Sequence, residues 1–461
     1  MKSVLLTFYL LCNSVFLFAG VSGTLPVMYI NTDENKPIVD KVNYITATYY
    51  IDDMGIEGIE SVGTKDNPLS LQIRGRGNFT WNNFDKKPYR IKLDKKQSLL
   101  GMKKSKHFAL LAHADNDYAF FRNTVAFEIS KRLEMAYTPE QRPVEVVLNG
   151  DYIGLYFLTE TIRVDADRVH ITEQADGETQ EDFITGGWLV EIDNNGDDNQ
   201  IQLSVDGTDL EWFWITYHSP EILSDEQKNY LFNQFEGIKS SIYTEDKSST
   251  EWESYIEMTS LAKYYIIQEA VDHLEGFLGS CYLYKDLGET KWKWGPVWDF
   301  GHAFNKYHSK EKFIYQDSPF PVSIINEIAK FPNFQQEVKR LWSKYYSNIF
   351  DDLDVFIHDF AQQIATAAVC DKERWPNYGD SDVITSSNEV ISSLRTKVLW
   401  LNDQWSSVNG IATTNNNHPN NYSIYYDMSG CRIDNPQKSG VYIIKEYLSD
   451  GSVRARKVVI Q

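Results

Sequence analysis

The spacing of apolar residues changes part-way along the chain from strand-like alternation to helical spacing, and this change constrains the fold more than any other feature. The segment KPYRIKL, at 87–93, alternates polar and apolar residues, which is typical of a half-buried strand. After the acidic stretch EIDNNGDDNQ, several segments have apolar residues at helical spacing: 225–240, 252–270, 323–347, 350–368 and 383–404. The pattern predicts an α+β fold with a β-rich first half and an α-rich second half.

Within the first half, three runs predict strands: VMYINT, YITATYYI and SLQIRG. The run NTVAFEISKRLEM has apolar residues at helical spacing and predicts the helix of this half. Asn149 and Gly150 interrupt the run RPVEVVLNGDYIGLYFLTETI, and an Asn-Gly pair between apolar runs indicates a two-residue hairpin turn.

Both ends of the chain differ in composition from the middle. The first residues place one lysine before an apolar run and small residues after it, which indicates an export signal. Near the other end, the polar stretch TTNNNHPNN precedes three short strand-like runs. The predicted organisation is a signal peptide at 1–23, a β-rich lobe at 24–200, an α-rich lobe at 201–408, a linker at 409–421 and a small β module at 422–461.

The charge of the chain is strongly negative overall and positive in one segment. The 461 residues carry 65 acids and 45 bases, for a net charge of −20, which argues against nucleic acid as a partner. Between Arg74 and His107, however, eleven Lys and Arg residues stand against two acids, Asp85 and Asp94. On so acidic a chain, this basic segment favours a polyanionic ligand.

The segment GPVWDFGHAF places a carboxylate, Asp299, in an apolar and aromatic run. Burying an ionised group without a partner is unfavourable by several kcal/mol, so Asp299, at the end of an apolar strand, is expected to need a cation. One interpretation is a turn or helix cap, with Gly301 supplying the unusual backbone angles. The other is a metal ligand at a strand end, where the magnesium-holding acid of phosphoryl-transfer enzymes lies. This segment alone leaves both open.

Several segments, in order, carry a resemblance to a known family: LQIRGRGN, KKPYRIKL, VEVVLNGDYIGLYFLTETI, GGWLVEIDN, YLYKD and GPVWDFGHAFN. Together they resemble the CotH kinase family, named after a bacterial spore-coat protein, over roughly residues 25–345. The resemblance implies a divergent protein-kinase-like fold of two lobes. It also implies transfer of phosphate from ATP to Ser or Thr hydroxyls of a protein substrate, with Mg²⁺ or Mn²⁺ as the metal.

Phosphoryl transfer needs cations on the donor phosphates, and the basic segment supplies them. Gly75 and Gly77 let the backbone approach a ligand closely. The predicted nucleotide contacts are Arg74, Arg76, Lys87, Lys92, Arg122 and Glu160. Two alternatives remain open: the RGRG segment is also consistent with a solvated basic hairpin, and Glu160 with an ion pair that serves packing alone.

The resemblance also implies an acid that orients the acceptor hydroxyl and an acid that holds the metal. Asp299 matches the metal ligand, and alignment on YLYKD places Glu275 where the family usually has Asp. Asp272, one helical turn earlier, is the alternative acid. Gly301 stands where the family often has another acid or Asn. Both departures favour a second hypothesis, a pseudokinase or surface-associated binding protein with the same fold.

Other features have plainer interpretations. His273 and His302 are expected to be hydrogen-bonded structural residues, and Trp292, Trp294 and Trp298 to pack in the core. The last forty or so residues resemble the sorting domains of type IX secretion, which implies a secreted or cell-surface location, with the periplasm as fallback. No segment of the mature chain is apolar for long enough to span a membrane. A third hypothesis, a carbohydrate-active enzyme with paired carboxylates, fits the basic segment poorly.

Overall fold

The computed structural model describes residues 20–115, 117–194, 196, 199–203, 213–316, 323–406, 422–426, 432–433, 440–447 and 453–460. Most of the predicted signal peptide and the whole predicted linker lie outside the described residues. The chain divides into two units, residues 1–407 and 408–461. No helix among the described residues is long and apolar enough to cross a membrane.

Seven strands of the first unit close into a barrel in the order β1-β2-β3-β4-β5-β7-β6. The strands are β1 (Val27–Thr32), β2 (Ile45–Asp52), β3 (Leu69–Gly75), β4 (Tyr89–Gln97), β5 (Ser105–Leu111), β6 (Gln141–Leu148) and β7 (Asp151–Glu160). Parallel pairing of β1 with β6 closes the ring, whereas the other neighbours are antiparallel. Asn149 and Gly150 form the predicted turn between β6 and β7, both with positive φ.

The alternation of β4 explains why the barrel has an apolar interior and a basic outer face. Tyr89, Ile91 and Leu93 are buried in the barrel core. The residues between them, Arg90 and Lys92, point to the opposite face, because successive side chains of a strand alternate. The barrel therefore presents part of the basic segment on its outside.

A second sheet has the strand order β12-β11-β8-β10-β9 and is antiparallel throughout. Its strands are β8 (Trp188–Asp193), β9 (Gln200–Leu203), β10 (Phe213–Ser219), β11 (Cys281–Lys285) and β12 (Lys293–Trp294). The sheet takes strands from both halves of the chain, and the predicted boundary at residue 200 falls on the first residue of β9.

Nine helices lie among the described residues of the first unit. They are α1 (Phe79–Asn83), α2 (Ala119–Arg132), α3 (Glu181–Ile184), α4 (Asp225–Ile242), α5 (Met258–Ala270), α6 (Ile325–Ile328), α7 (Pro332–Phe350), α8 (Leu353–Arg374) and α9 (Val383–Ser406). Ser224 and Gln227 form a capping box that begins α4. The mixed α+β class, with a β-rich first half and a helical second part, is confirmed.

Helix α8 is joined to the barrel by a buried ion pair. Lys86 Nζ lies 2.7 Å from Asp371 Oδ1 and donates to the carbonyl oxygen of Leu155 at 2.7 Å. Asp371 Oδ1 also accepts a hydrogen bond from the Leu155 amide at 2.8 Å. Gly154 is required here, because its φ is +105° and a Cβ would lie 2.1 Å from Asp371 Oδ1. The contact holds the helical part of the unit against β7.

Four strands form an antiparallel sheet in the second unit, in the order β14-β13-β15-β16. They are β13 (Tyr422–Tyr426), β14 (Arg432–Ile433), β15 (Gly440–Tyr447) and β16 (Val453–Ile460). The sequence predicted three of them and missed the two-residue β14.

Candidate active site

A cleft of about 610 Å³ opens beside the barrel, and five cationic side chains line it: Lys41, Arg74, Arg76, Arg90 and Arg163. We call it the cationic cleft. Pairing of β3 with β4 sets Arg74 opposite Arg90, on the face that alternation turns away from the barrel core. Two acids, Glu173 and Glu221, share the lining, so Lys and Arg outnumber Asp and Glu five to two.

Two of these arginines have a buried donor group without a hydrogen-bond acceptor among the described residues. The Nε groups of Arg74 and Arg90 are buried and donate to no residue that the structure describes. The pKa of the neighbouring His107 falls to about 3 because it is buried and because cations, among them Arg163, Arg90 and Lys92, surround it. Clustered like charges repel one another, so an anion in the cleft would offset that repulsion.

One wall of the cleft is aromatic. The His218 ring stacks on Tyr282 with their centroids 5.4 Å apart, and His218 Nε2 lies 2.8 Å from Glu191 Oε2. The Arg76 guanidinium lies 5.8 Å from the centroid of a Trp298 ring. These rings offer flat faces on which a base can stack, next to the cations that would hold phosphates.

Two carboxylates, Glu275 and Asp299, lie beside the cleft. Asp299 directly follows Trp298, which lines the cleft. Asp299 is exposed, not buried as its apolar run predicted, and its φ of 53° is left-handed. Asn194 Nδ2 donates to Glu275 Oε1 at 2.7 Å, and Glu275 Oε2 lies 3.2 Å from His302 Nε2. Burial raises the pKa of Glu275, and the charge of Asp299 adds to the rise against the opposing His302. A cation between the two carboxylates would relieve their repulsion.

A third carboxylate, Asp115, belongs to the same group. It forms an ion pair with Arg122 of α2. Burial raises the pKa of Asp115 against the opposing charge of Arg122, and Asp299 adds to the rise. Three residues of its loop have positive φ: His113 at 44°, Asp117 at 59° and Tyr118 at 65°. Such backbone strain is concentrated at functional sites. We call Glu275, Asp299 and Asp115 the acidic cluster.

The structure brings together several residues selected from the sequence. Arg74 and Arg76 line the cationic cleft. Glu275 and Asp299 lie in the acidic cluster, and Arg122 joins the cluster through Asp115. Trp298 packs in the core as predicted and also lines the cleft, although it is only 7% exposed. Trp292 and Trp294 pack in the core as predicted.

Three other predicted nucleotide contacts lie outside the cleft lining. Lys87 Nζ donates to the Trp81 carbonyl oxygen at 2.6 Å and lies over the Trp81 ring. Lys92 is exposed on β4. Glu160, at the end of β7, is buried beside Arg168, with 3.8 Å between Glu160 Oε1 and Arg168 Nε. Glu160 therefore forms a buried ion pair, which is the structural role given above as the alternative to nucleotide binding.

Asp272 lies in a separate buried network of charges. It is 1% exposed. Its carboxylate lies 2.7 Å from His308 Nδ1 and 3.6 Å from Lys397 Nζ, and it forms an ion pair with Lys310. Lys397 also lies 3.0 Å from Glu269. Burial opposes ionisation of Asp272, but the hydrogen bond from His308 and the nearby lysines outweigh it and lower its pKa. These partners, rather than a substrate, satisfy the carboxylate.

His273 is hydrogen-bonded in the core as predicted, whereas His302 lies at the candidate active site. His273 is buried, its Nδ1 lies 2.7 Å from Gln268 Oε1, and its pKa falls to about 3, chiefly because of burial. His302 instead contacts the candidate catalytic carboxylate of Glu275. The sequence offered one unused signal for this region, since residues 299–301 read Asp-Phe-Gly, the tripeptide whose Asp binds Mg²⁺ in protein kinases.

Sequence reasoning missed Arg90, Arg163, Asp115 and Asn194. Arg90 stands in the basic segment, and its alternation with apolar neighbours in KPYRIKL was the available signal for a cation on the outer face. The other three are brought to the site by long-range packing. Their neighbours in the sequence give no comparable pattern.

The acidic cluster fits a divalent cation that is coordinated mostly by water and substrate oxygens and by few protein side chains. Among the described residues, no three His, Cys, Asp or Glu side chains are placed to hold a metal by themselves. Magnesium usually takes only one or two protein carboxylates and completes its shell with water and substrate phosphates. The exposed Asp299, next to a carboxylate that its charge perturbs and beside the cationic cleft, meets that requirement.

The fold and the site define a mixed α+β protein in which a cation-lined cleft adjoins a set of carboxylates. The sequence profile of the CotH kinase protein family matches residues 73–401. The chain therefore belongs to the CotH kinase family, which indicates an atypical kinase. A search of curated proteins finds none that matches the chain.

Proposed function

We propose that the protein is an exported kinase that transfers the γ-phosphoryl group of ATP to a Ser or Thr hydroxyl of a protein substrate. The observation that carries the proposal is the set of arginines, Arg74, Arg76 and Arg90 among them, that lines a cleft beside carboxylates. Phosphoryl transfer needs this combination of cations for the phosphates and acids for the metal and the acceptor.

The cations of the cleft bind and orient the nucleotide. Arg74, Arg76 and Arg90 present guanidinium donors, which match phosphate oxygens in geometry and charge. The aromatic wall formed by His218 and Tyr282 supports the base. In the proposed arrangement, the triphosphate would lie between the barrel and the acidic cluster.

The carboxylates act on the metal and on the acceptor. Asp299 would hold Mg²⁺ or Mn²⁺, which neutralises charge on the transferring phosphoryl group. Glu275 accepts the proton of the acceptor hydroxyl, and its raised pKa makes it a better base than a solvated glutamate. Asn194 fixes one oxygen of Glu275 by hydrogen bonding. Asp115 holds Arg122 in place beside the cluster.

The proposal includes a fold and a location. The barrel half and the helical half would be the two lobes of a divergent protein-kinase-like fold. The apolar run near the beginning of the chain and the β-rich end support export, with type IX sorting to the cell surface.

A transfer assay tests the proposal. The purified chain is incubated with γ-labelled ATP and Mg²⁺ or Mn²⁺, with and without a Ser/Thr-containing acceptor protein, and label in protein is measured. We expect metal-dependent labelling that Asp299→Asn and Glu275→Gln remove and that Asp66→Asn, at an exposed position elsewhere, retains. Labelling that both active-site variants keep would contradict the proposal.

A second candidate, a nucleotide-binding pseudokinase, is favoured by one observation. Glu275 is one methylene longer than the Asp of the family, and both of its oxygens are engaged, by Asn194 and His302. ATP binding by calorimetry without any transfer would support this candidate. Gain of transfer in Glu275→Asp would then identify the substitution as the cause.

A further inference from the structure

The hairpin formed by β4 and β5 has a concentration of lysines that the nucleotide site does not use. Residues 92–106 contain six lysines and one acid, Asp94, in a chain with a net charge of −20. Five of the lysines are exposed and Lys106 is half-buried. We call these residues the basic hairpin: Lys92, Lys95, Lys96, Lys103, Lys104 and Lys106.

The basic hairpin is continuous with the cationic cleft. Lys92 stands two residues beyond Arg90 on β4, so both side chains point to the outer face of the barrel. Lys96 Nζ lies 2.9 Å from Asp165 Oδ2. Asp165 follows Arg163 by two residues, and Arg163 lines the cleft. A cationic surface therefore extends from the cleft outward along β4.

The charge of the hairpin is largely uncompensated. Of its six lysines, only Lys96 forms an ion pair with a carboxylate of the described residues. The lowered pKa of His107, which Lys92 and the cleft arginines help to depress, reports the positive potential on this side of the barrel. A neutral partner would gain no electrostatic attraction from these lysines, whereas an anionic segment would complement their charge.

We propose that the basic hairpin docks an acidic segment of the protein acceptor and guides the acceptor hydroxyl towards Glu275. The inference rests on the proposed kinase function and names its substrate class. The nucleotide is bound by the arginines of the cleft, so the lysines outside it remain available for a second anion. The negative charge of the rest of the chain disfavours long nucleic acids, which would extend beyond the hairpin.

Charge reversal of the hairpin tests the proposal in the full chain. The triple variant Lys103→Glu, Lys104→Glu and Lys106→Glu is compared with a matched control of exposed lysines elsewhere, Lys65→Glu, Lys131→Glu and Lys228→Glu. The substrates are two synthetic peptides that share one serine, one flanked by Asp and Glu and one by neutral residues. Calorimetry measures ATP affinity in each variant.

We expect the hairpin variant to raise KM for the acidic peptide roughly tenfold or more, with kcat and ATP affinity close to wild type. The neutral peptide and the control variant should show little change, and added NaCl should reproduce the effect in the wild type. Equal loss for both peptides, or an unchanged KM for the acidic one, would overturn the proposal.

Direct binding separates this inference from the kinase proposal. If no transfer is detected, fluorescence anisotropy of the labelled acidic peptide still reports docking. Binding to the wild type that the hairpin variant loses would support the docking surface even if transfer fails. Absence of peptide binding would overturn it, as would tighter binding of a labelled single-stranded oligonucleotide at the same salt concentration.

Discussion

Replacing Asp272 by Asn tests whether its carboxylate has a structural or a catalytic role. Asp272 is 1% exposed and lies among His308, Lys310 and Lys397, which come from the segment after Asp299 and from α9. The substitution keeps the shape of the side chain and a hydrogen-bond acceptor for His308. It removes the negative charge that balances the two lysines.

The size of the effect follows from what each lysine retains. Breaking a buried ion pair by removing one partner typically destabilises a protein by about 3–5 kcal/mol. Lys397 keeps Glu269 at 3.0 Å, and Lys310 is 16% exposed and can turn towards water. We therefore expect a loss near the lower end, about 3 kcal/mol in the free energy of unfolding.

The pH dependence of this loss has a definite sign. The pKa of Asp272 is lowered in the folded protein, so its contribution is present above its unfolded pKa, about 3.9, and is lost as the pH falls through the folded pKa. The difference between wild type and variant should be full at pH 7 and should shrink below about pH 4.

Urea unfolding followed by tryptophan fluorescence measures the difference, with Asp66→Asn, at an exposed position, as control. Phosphotransfer measured well below the unfolding transition should remain. The reasoning is refuted if Asp272→Asn unfolds like the wild type but loses transfer, because Asp272 would then be the acid that orients the acceptor.

Three further predictions address the cleft, the base and the barrel contact. Arg90→Gln should weaken ATP binding by roughly ten- to a hundredfold in calorimetry, whereas Lys87→Gln should be nearly silent; equal losses would return Lys87 to the site. Glu275→Gln should lower the initial transfer rate by about a hundred- to ten-thousandfold while Glu275→Asp keeps activity, and equal rates would remove Glu275 from the mechanism. Lys86→Met should destabilise the protein by about 3–5 kcal/mol in urea, and adding Asp371→Asn should recover much of that loss; no recovery would contradict the ion-pair account.

Local patterns predicted the elements that depend on neighbouring residues. Alternation in KPYRIKL identified β4, and helical spacing identified the long helices of the second half. The Asn149-Gly150 pair identified the β6–β7 turn because few other residues accept its positive φ values. The cleft cations Arg74 and Arg76 were also accessible in this way, since they flank glycines in a basic segment.

Features set by long-range packing were not accessible. Closure of the barrel depends on parallel pairing of β1 with β6, more than a hundred residues apart in the chain, and no local pattern reports that register. The same holds for Asp115, which is far from Asp299 in the sequence and is brought near it by tertiary packing. Lys86 and Lys87 are adjacent and chemically alike, yet one is buried with Asp371 and the other rests on Trp81. Only the fold distinguishes them.

Metal-dependent nucleotide binding tests the central claim most directly. ATP is titrated calorimetrically into wild type and Asp299→Asn, each with Mg²⁺ and with a chelator. We predict that the wild type binds ATP more tightly with Mg²⁺ than without, and that Asp299→Asn loses this dependence because its amide brings no negative charge to the cation. If Asp299→Asn binds ATP with Mg²⁺ as tightly as the wild type, Asp299 is a turn residue and the acidic cluster is not a metal site.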